Sequence, residues 1–332
     1  MQYLTTENRG GGLRDATLDL IRIVAISLVV LQHSVNYGGT ILLGTISYLC
    51  VPGAPLFFMV SGALLLDNEM PTKEFLSKRL TKVLFPTLIW TAFYLIVSWL
   101  KSPVSLGEAL RQVLSIPFEP QGTGVLWFMY VLVGLYLLTP ILSRWLERAA
   151  TKEIALYLSL WLIAMCYPWL KKVLDISLDE GSPFYYFAGY VGYYVSGYFI
   201  AKREFTLPLM FLVPLMLMVV AMPFIMKLSG MTLIFDDFYY TGIYSAMYTV
   251  LLFMILRHVR IGSTKTLTTI SSLVFGVYLV HIFIAREVLW KITTPSMLSV
   301  VIIPIVVFAA SLAVSWCFAK SPVGKWVVGV RV

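Results

Sequence analysis

Two side chains able to hold an anion or exchange a proton interrupt the apolar stretch LDLIRIVAISLVVLQHSVNYGG: Arg22 and His33, with Asp19 and Gln32 close by. They stand eleven residues apart, which on an α-helix leaves them about 20° out of register and about 16 Å apart along one face. An arginine turned toward lipid costs roughly 2.5 kcal/mol or more, so this face is expected to look into a water-filled or protein-lined interior. Asp19, three residues before Arg22, is its natural ion-pair partner. A neutral imidazole accepts a proton from a hydroxyl and returns it near physiological pH, so His33 reads as a candidate general base. A structural reading of the same residues stands beside this one: Arg22 snorkels to the inner surface and anchors the helix with Asp19, while His33 is a satisfied core histidine.

The chain holds two further histidines. His258, in the basic segment RHVRIGSTK, is expected to be solvated. His281, in FGVYLVHIFIAREVLW, falls at about the same depth of its helix as His33 does. It reads either as a second ionisable group of the site or as an interhelical hydrogen bond. In PTKEFLSKRLTKVLFP, Lys78, Arg79 and Lys82 gather at the mouth of a helix, with Arg79 and Lys82 on adjacent turns. The cluster is either a topology anchor beside anionic lipid or a clamp for the phosphates of a large anionic substrate.

The elements that position these groups follow from composition. Of 332 residues 59% are hydrophobic and 13% charged, with a mean hydropathy of +0.85; a soluble domain carries nearly twice that charge fraction. Apolar runs of about 20 residues, long enough to cross the hydrocarbon core, recur along the whole length. The expected fold is all-α, a polytopic bundle of about ten transmembrane helices: 17–36, 46–66, 83–100, 125–143, 154–170, 184–201, 207–226, 239–256, 267–290 and 297–319. With the N-terminus inside, seventeen Lys and Arg fall in inner segments and seven in outer ones, so both termini are expected in the cytoplasm. The formal net charge of +8 is then mostly this bias, and nucleic acid is not expected as a partner. The polar N-terminus lacks the order of a cleavable signal, so the first helix is expected to be retained. Cys50, Cys166 and Cys317 show no ligand spacing, and neither a disulfide framework nor a metal site is expected.

Two segments stand out on the way. The outer stretch KSPVSLGEALRQVLSIPFEPQGTG (101–124) has room for one short amphipathic helix between its breakers. The run FYYFAGYVGYYVSGYF (184–199) is too aromatic for a plain lipid-facing helix. Its deeper tyrosines, set among Gly and Ser, suggest close helix packing or the lining of a polar cavity. In VPGAPLFFMVSGALLL the Pro and Gly residues are expected to break or thin the second helix.

Several of these motifs converge. LDLIRIVAISLVVLQH resembles the first-helix signature of the membrane acyltransferase-3 family, an Arg and a His separated by ten residues. PLFFMVSGALL is similar to its Phe-Phe-x-x-Ser-Gly segment, and FLSKRLTKVLFP to its Arg-x-x-Arg-x-x-x-Pro segment. LWFMYVLVGLYLLTP resembles its Leu-Trp-Phe helix, and FGVYLVH its late Tyr-Leu-x-His element. Order and spacing match over residues 17–320, leaving 1–16 and 321–332 as cytoplasmic tails. Two positions depart: Ile23 stands where the family commonly has Gly, and Lys82 replaces the second Arg, losing the bidentate fork.

The resemblance implies transfer of an acyl group, usually acetyl from cytoplasmic acetyl-coenzyme A, to a hydroxyl of a surface glycan. In its short form the chain is similar to bacterial O-antigen and enterobacterial common antigen O-acetyltransferases of the inner membrane. The implied acceptor is a lipid-linked or lipopolysaccharide glycan, with membrane lipids as the other partner. In that scheme His33 is the general base, with an acetyl-imidazole intermediate as the alternative, and Arg22 receives the donor. Lys78, Arg79, Lys82, Arg144 and Arg148 bind the donor from the inner face. Ser61, Tyr278 and His281 are candidates to steady the thioester oxygen. Trp127 offers a face for a sugar ring or a place in the interfacial belt. Two other readings stay open: a flippase or permease with Arg22, His33 and His281 as a relay, and a donor other than acetyl, such as succinyl-coenzyme A.

Overall fold

Asp15 starts the first helix, α1 (Ala16–Ser34), by turning its carboxylate onto the amides of Thr17 and Leu18 at 3.0 and 3.2 Å, donors that no helical carbonyl reaches. The computed structural model describes residues 14–35, 40–67, 69–120, 124, 126–228, 240–294 and 296–331. Among these residues there is no strand. After α1 come α2 (Thr40–Cys50), α3 (Gly53–Leu65), α4 (Thr72–Lys101), α5 (Leu106–Ser115), α6 (Trp127–Arg148), α7 (Thr151–Ala164) and α8 (Tyr167–Leu174). Then follow α9 (Val191–Lys202), α10 (Leu209–Leu228), α11 (Ile243–Arg257), α12 (Lys265–Phe283), α13 (Trp290–Ile292), α14 (Met297–Lys320) and α15 (Gly324–Val327). A π-helical stretch, Ile284–Leu289, joins α12 to α13.

Seven helical stretches among the described residues are long and apolar enough to cross a membrane, and two shorter apolar helices lie within α10 and α11. The chain is an all-helical, multi-pass membrane protein. Some details differ from the sequence reading. The outer loop read after the first helix is already helical from Thr40, because the apolar TILL run carries no breaker; residues 36–39 of that loop lie outside the described residues. The break expected from the Pro and Gly residues of the second helix falls at Val51–Pro52, between α2 and α3. In the aromatic run the regular helix α9 covers only 12 residues. A 3₁₀ turn at Tyr185–Phe187 and Gly189, at φ +91°, take up the segment before it. Of the tail read over 1–16, residues 1–13 lie outside the described residues.

By contacts the chain divides into two compact units. One comprises Asp15–Glu69 and Thr139–Thr264. Here α3 packs between α1 and α9, and α11 touches α1, α3, α7 and α9. Close approach is written in glycines: a Cβ on Gly62 would lie 1.8 Å from the Tyr194 carbonyl oxygen, and one on Gly197 1.9 Å from that of Met59. Small residues of this kind let membrane helices meet backbone to backbone. The tyrosines beside them are buried: Tyr193 donates to the Tyr240 carbonyl at 2.6 Å, and Tyr194 meets the Thr139 hydroxyl at 2.8 Å. The aromatic run is packing. Ends on one side are tied together by Arg257 to Asp15, by Lys202 to Asp67, and by Arg203, which donates to the carbonyls of Leu146 and Ala149 at the end of α6.

The other unit comprises Met1–Arg14, Met70–Leu138 and Lys265–Val332. Here α12 packs along α14, and a Cβ on Gly276 would sit 2.7 Å from the Ser315 hydroxyl. α4 is a single helix that includes the basic segment read as lying before it. Tyr94 ties it to α12 by donating to the Leu279 carbonyl at 2.8 Å. At its far end Lys101 pairs with Glu287, which also takes Lys291 at 3.0 Å. α5 is the expected amphipathic helix, capped by Ser105 and exposing Leu106, Leu110 and Leu114.

Candidate active site

In the first unit the site residues are carried by α1. The stripe of this helix that faces protein contains Leu18, Asp19, Ala25, Ile26, Val29 and Val30, all buried, and Arg22 and His33 lie on it. Ser27, on the opposite side, is exposed and returns its hydroxyl to the Ile23 carbonyl at 2.8 Å. Both ionisable groups are therefore on the protein-facing side of α1, and both are half-buried. The lining between them is protein. Gly53 at the start of α3 comes so close that a Cβ would meet Val29 Cγ2 at 2.9 Å, halfway between the two groups.

Asp19 is almost wholly buried and holds a carboxylate oxygen 3.6 Å from Arg22 Nη1. A buried carboxylate without a cation would be costly, so the pair fixes where the guanidinium points. Ser61 is half-buried on α3, next to Gly62 in its contact with α9. Arg144 and Arg148 belong to this same unit, on exposed positions one turn apart near the end of α6. The guanidinium that caps that end is Arg203, which sequence reading counted only as an inner charge.

In the second unit Trp127, Phe128, Tyr278 and His281 form a chain of rings. Trp127 meets Phe128 at 6.3 Å between centroids, Phe128 meets Tyr278 at 5.3 Å, and Tyr278 meets His281 at 5.7 Å. His281 is fully buried, with Nδ1 2.6 Å from the Tyr278 carbonyl. A carbonyl only accepts, so Nδ1 bears the proton; in the neutral ring Nε2 then carries the lone pair. A neutral His281 thus offers an acceptor, not an N–H for an oxyanion. Lys78 and Arg79 are half-buried on α4 and Lys82 is exposed. Arg79 Nε is buried and has no hydrogen-bond partner among the described residues.

The sequence reading missed Glu287, which two lysines hold at the π-helical end of α12. The Glu287–Lys291 spacing of four was its visible signal. The family model for an acyltransferase domain, that of acyltransferase-3, matches residues 15–320, from the cap of α1 to the last residue of α14. No curated protein and no solved structure matches the chain.

Proposed function

The chain belongs to the acyltransferase-3 family and is a membrane acyltransferase; from that premise we propose that it moves an acetyl group from cytoplasmic acetyl-coenzyme A to a hydroxyl of a bacterial surface polysaccharide, O-antigen or a similar glycan, in the inner membrane. The observation that carries this reading is the buried stripe of α1, on which Arg22, held by Asp19, and His33 share one face. A cation at one end of the stripe suits an anionic or carbonyl-bearing donor, and an imidazole further along suits a hydroxyl.

The chemistry then runs as a direct transfer. His33 takes the proton of the acceptor hydroxyl as its oxygen attacks the thioester carbonyl. The carbon–sulfur bond breaks, the ester forms, and the thiolate leaves to be protonated as free coenzyme A. Charge that develops on the carbonyl oxygen needs a donor, for which the hydroxyls of Ser61 and Tyr278 are candidates. Lys78, Arg79 and Lys82 on one unit, and Arg144 and Arg148 on the other, are each candidates to bind donor phosphates. Trp127 presents an apolar face to a sugar ring.

Membranes containing the protein, supplied with acetyl-labelled coenzyme A thioester and a lipid-linked glycan, provide the test. Label in the glycan is expected, with a mass increase of one acetyl group in the product. Glycan movement without acetylation would overturn the reading in favour of a transporter. A succinyl mass in the product would replace the donor and keep the transfer.

A further inference from the structure

Beyond residue 320, where the family match ends, the chain folds once more. α15 (Gly324–Val327) is locked against its neighbours rather than trailing from α14. Trp90 Nε1 donates to the Val327 carbonyl at 2.9 Å, and Trp326 meets Phe85 edge-on with ring centroids 4.9 Å apart. Gly324 sits so close to the end of α14 that a Cβ would lie 2.3 Å from the Phe318 carbonyl oxygen. Gly329, at φ +71°, crosses α4 itself, where a Cβ would be 3.0 Å from the Lys82 carbonyl oxygen. That carbonyl is the one Pro86 leaves without its amide four residues on. The proline inside α4 thus opens a backbone acceptor where the last segment of the chain comes down.

The consequence is the position of Lys325. Its side chain is exposed on the short helix that packs on α4. Val327, two residues on from Lys325, is held by Trp90 of α4, and Gly329 lies against the Lys82 carbonyl, so the contact of α15 with α4 gathers the cations Lys78, Arg79, Lys82 and Lys325, an arrangement that favours a bound anion. Arg79 adds a buried Nε–H with no hydrogen-bond partner among the described residues, a donor whose desolvation only an acceptor offsets. A group with several charged oxygens answers both features.

We propose that Lys325, held in place by α15, joins Lys78, Arg79 and Lys82 in one phosphate-binding cluster. The ligand chemistry is a phosphoryl group, and two sources carry it. One is the phosphates of the coenzyme A thioester, in which case the inference rests on the function proposed above. The other is the headgroup of an anionic phospholipid.

The experiment uses the full chain in phosphatidylcholine nanodiscs titrated with coenzyme A, and in discs containing phosphatidylglycerol scored for retained lipid by native mass spectrometry. Lys325→Glu is expected to weaken one of the two ligands about tenfold or more, the worth of one hydrogen bond to a charged group. Lys325→Arg keeps the charge and is expected to bind as the parent does. Lys320→Glu makes the same charge change at the end of α14, where the ammonium lies over Trp316 at 3.6 Å, and is expected to leave both ligands within about twofold. Loss of coenzyme A binding assigns the cluster to the donor; loss of phosphatidylglycerol assigns it to lipid. Parent-like binding of both ligands by Lys325→Glu overturns the proposal and leaves the donor reading intact. A parent chain that binds no coenzyme A but holds phosphatidylglycerol through Lys325 sinks the donor reading and leaves the cluster standing.

Discussion

Asp19 lies one turn from Arg22 with its carboxylate 3.6 Å from the guanidinium, and the two differ in exposure, 4% against 32%. The carboxylate is the fixed member, and the guanidinium is the one that can reach past it. Asp19→Asn keeps the shape and removes the charge that orients Arg22. Transfer is expected to fall about tenfold, the effect of misplacing a substrate-positioning group, with the change in kcat and little in membrane level. Asp19→Glu is expected to recover part of it. Equal loss of activity and of inserted protein in Asp19→Asn would make the pair a structural anchor only.

For His33 the expected effect is larger. His33→Ala removes the proposed base from a half-buried position at the far end of the α1 stripe, and general-base catalysis contributes about 100-fold or more. Label transfer into the glycan is expected to vanish while expression and insertion stay normal. Parent-like turnover in that variant removes His33 from the mechanism.

What the sequence made legible was the shared face of Arg22 and His33 on α1, because spacing along one helix is set by the helix itself: eleven residues return to the same face wherever the helix sits. The contacts between helices were less legible. VSGALLL and GYYVSGYF each announce small residues, yet nothing in either says that Gly62 faces Tyr194 and Gly197 faces Met59. The same holds for Arg203, whose partners are carbonyls more than fifty positions away, and for Lys325, which reads as a tail charge until Trp90 pins Val327 to α4. The break at Pro52 was legible from its own proline and glycine, whereas the late start of α9, after Gly189, was not.

That reciprocal glycine contact carries its own prediction. A methyl group on either Gly62 or Gly197 would fall within 2 Å of a backbone oxygen, which no rotamer change relieves, so α3 and α9 must separate. Gly197→Ala is expected to destabilise the folded protein by about 3 kcal/mol, at the upper end of overpacking costs, read as a lower melting temperature in detergent. Gly134→Ala, where a Cβ meets nothing within 4 Å, is the control expected to melt as the parent does.

On α5 the carboxyl of Glu108 accepts from Arg111 Nε and Nη2 at 3.0 and 2.8 Å and from Gln112 at 2.9 Å. The Arg111 hydrogen bonds, with that of Gln112, hold it below its usual value of 4.5. A depressed carboxyl contributes fully above the unfolded value and loses that contribution as pH falls through the folded one. The local order of α5 is therefore expected to persist to pH values below the ordinary carboxylate range and then loosen, seen as faster amide exchange over Leu106–Ser115. Glu108→Gln should erase the step; an unchanged acid profile in that variant would put the transition elsewhere.

Arg79 separates the two readings of the basic cluster on α4. A topology anchor acts on insertion and on neither substrate, whereas a phosphate clamp acts on the donor alone. Removing the guanidinium by Arg79→Ala takes away a charged donor with a buried Nε, worth about tenfold in affinity. The KM for acetyl-coenzyme A is expected to rise by about that factor with the glycan KM unmoved. Arg79→Lys should fall between, since lysine holds the charge without the planar fork and position 82 already presents one. Salt adds an independent axis, because donor binding by a cation cluster weakens as the Debye length shortens; the salt dependence of the donor KM should flatten in Arg79→Ala. A rise in the glycan KM with the donor KM unmoved would assign the cluster to the acceptor, and inverted topology at unchanged kinetics would assign it to the membrane.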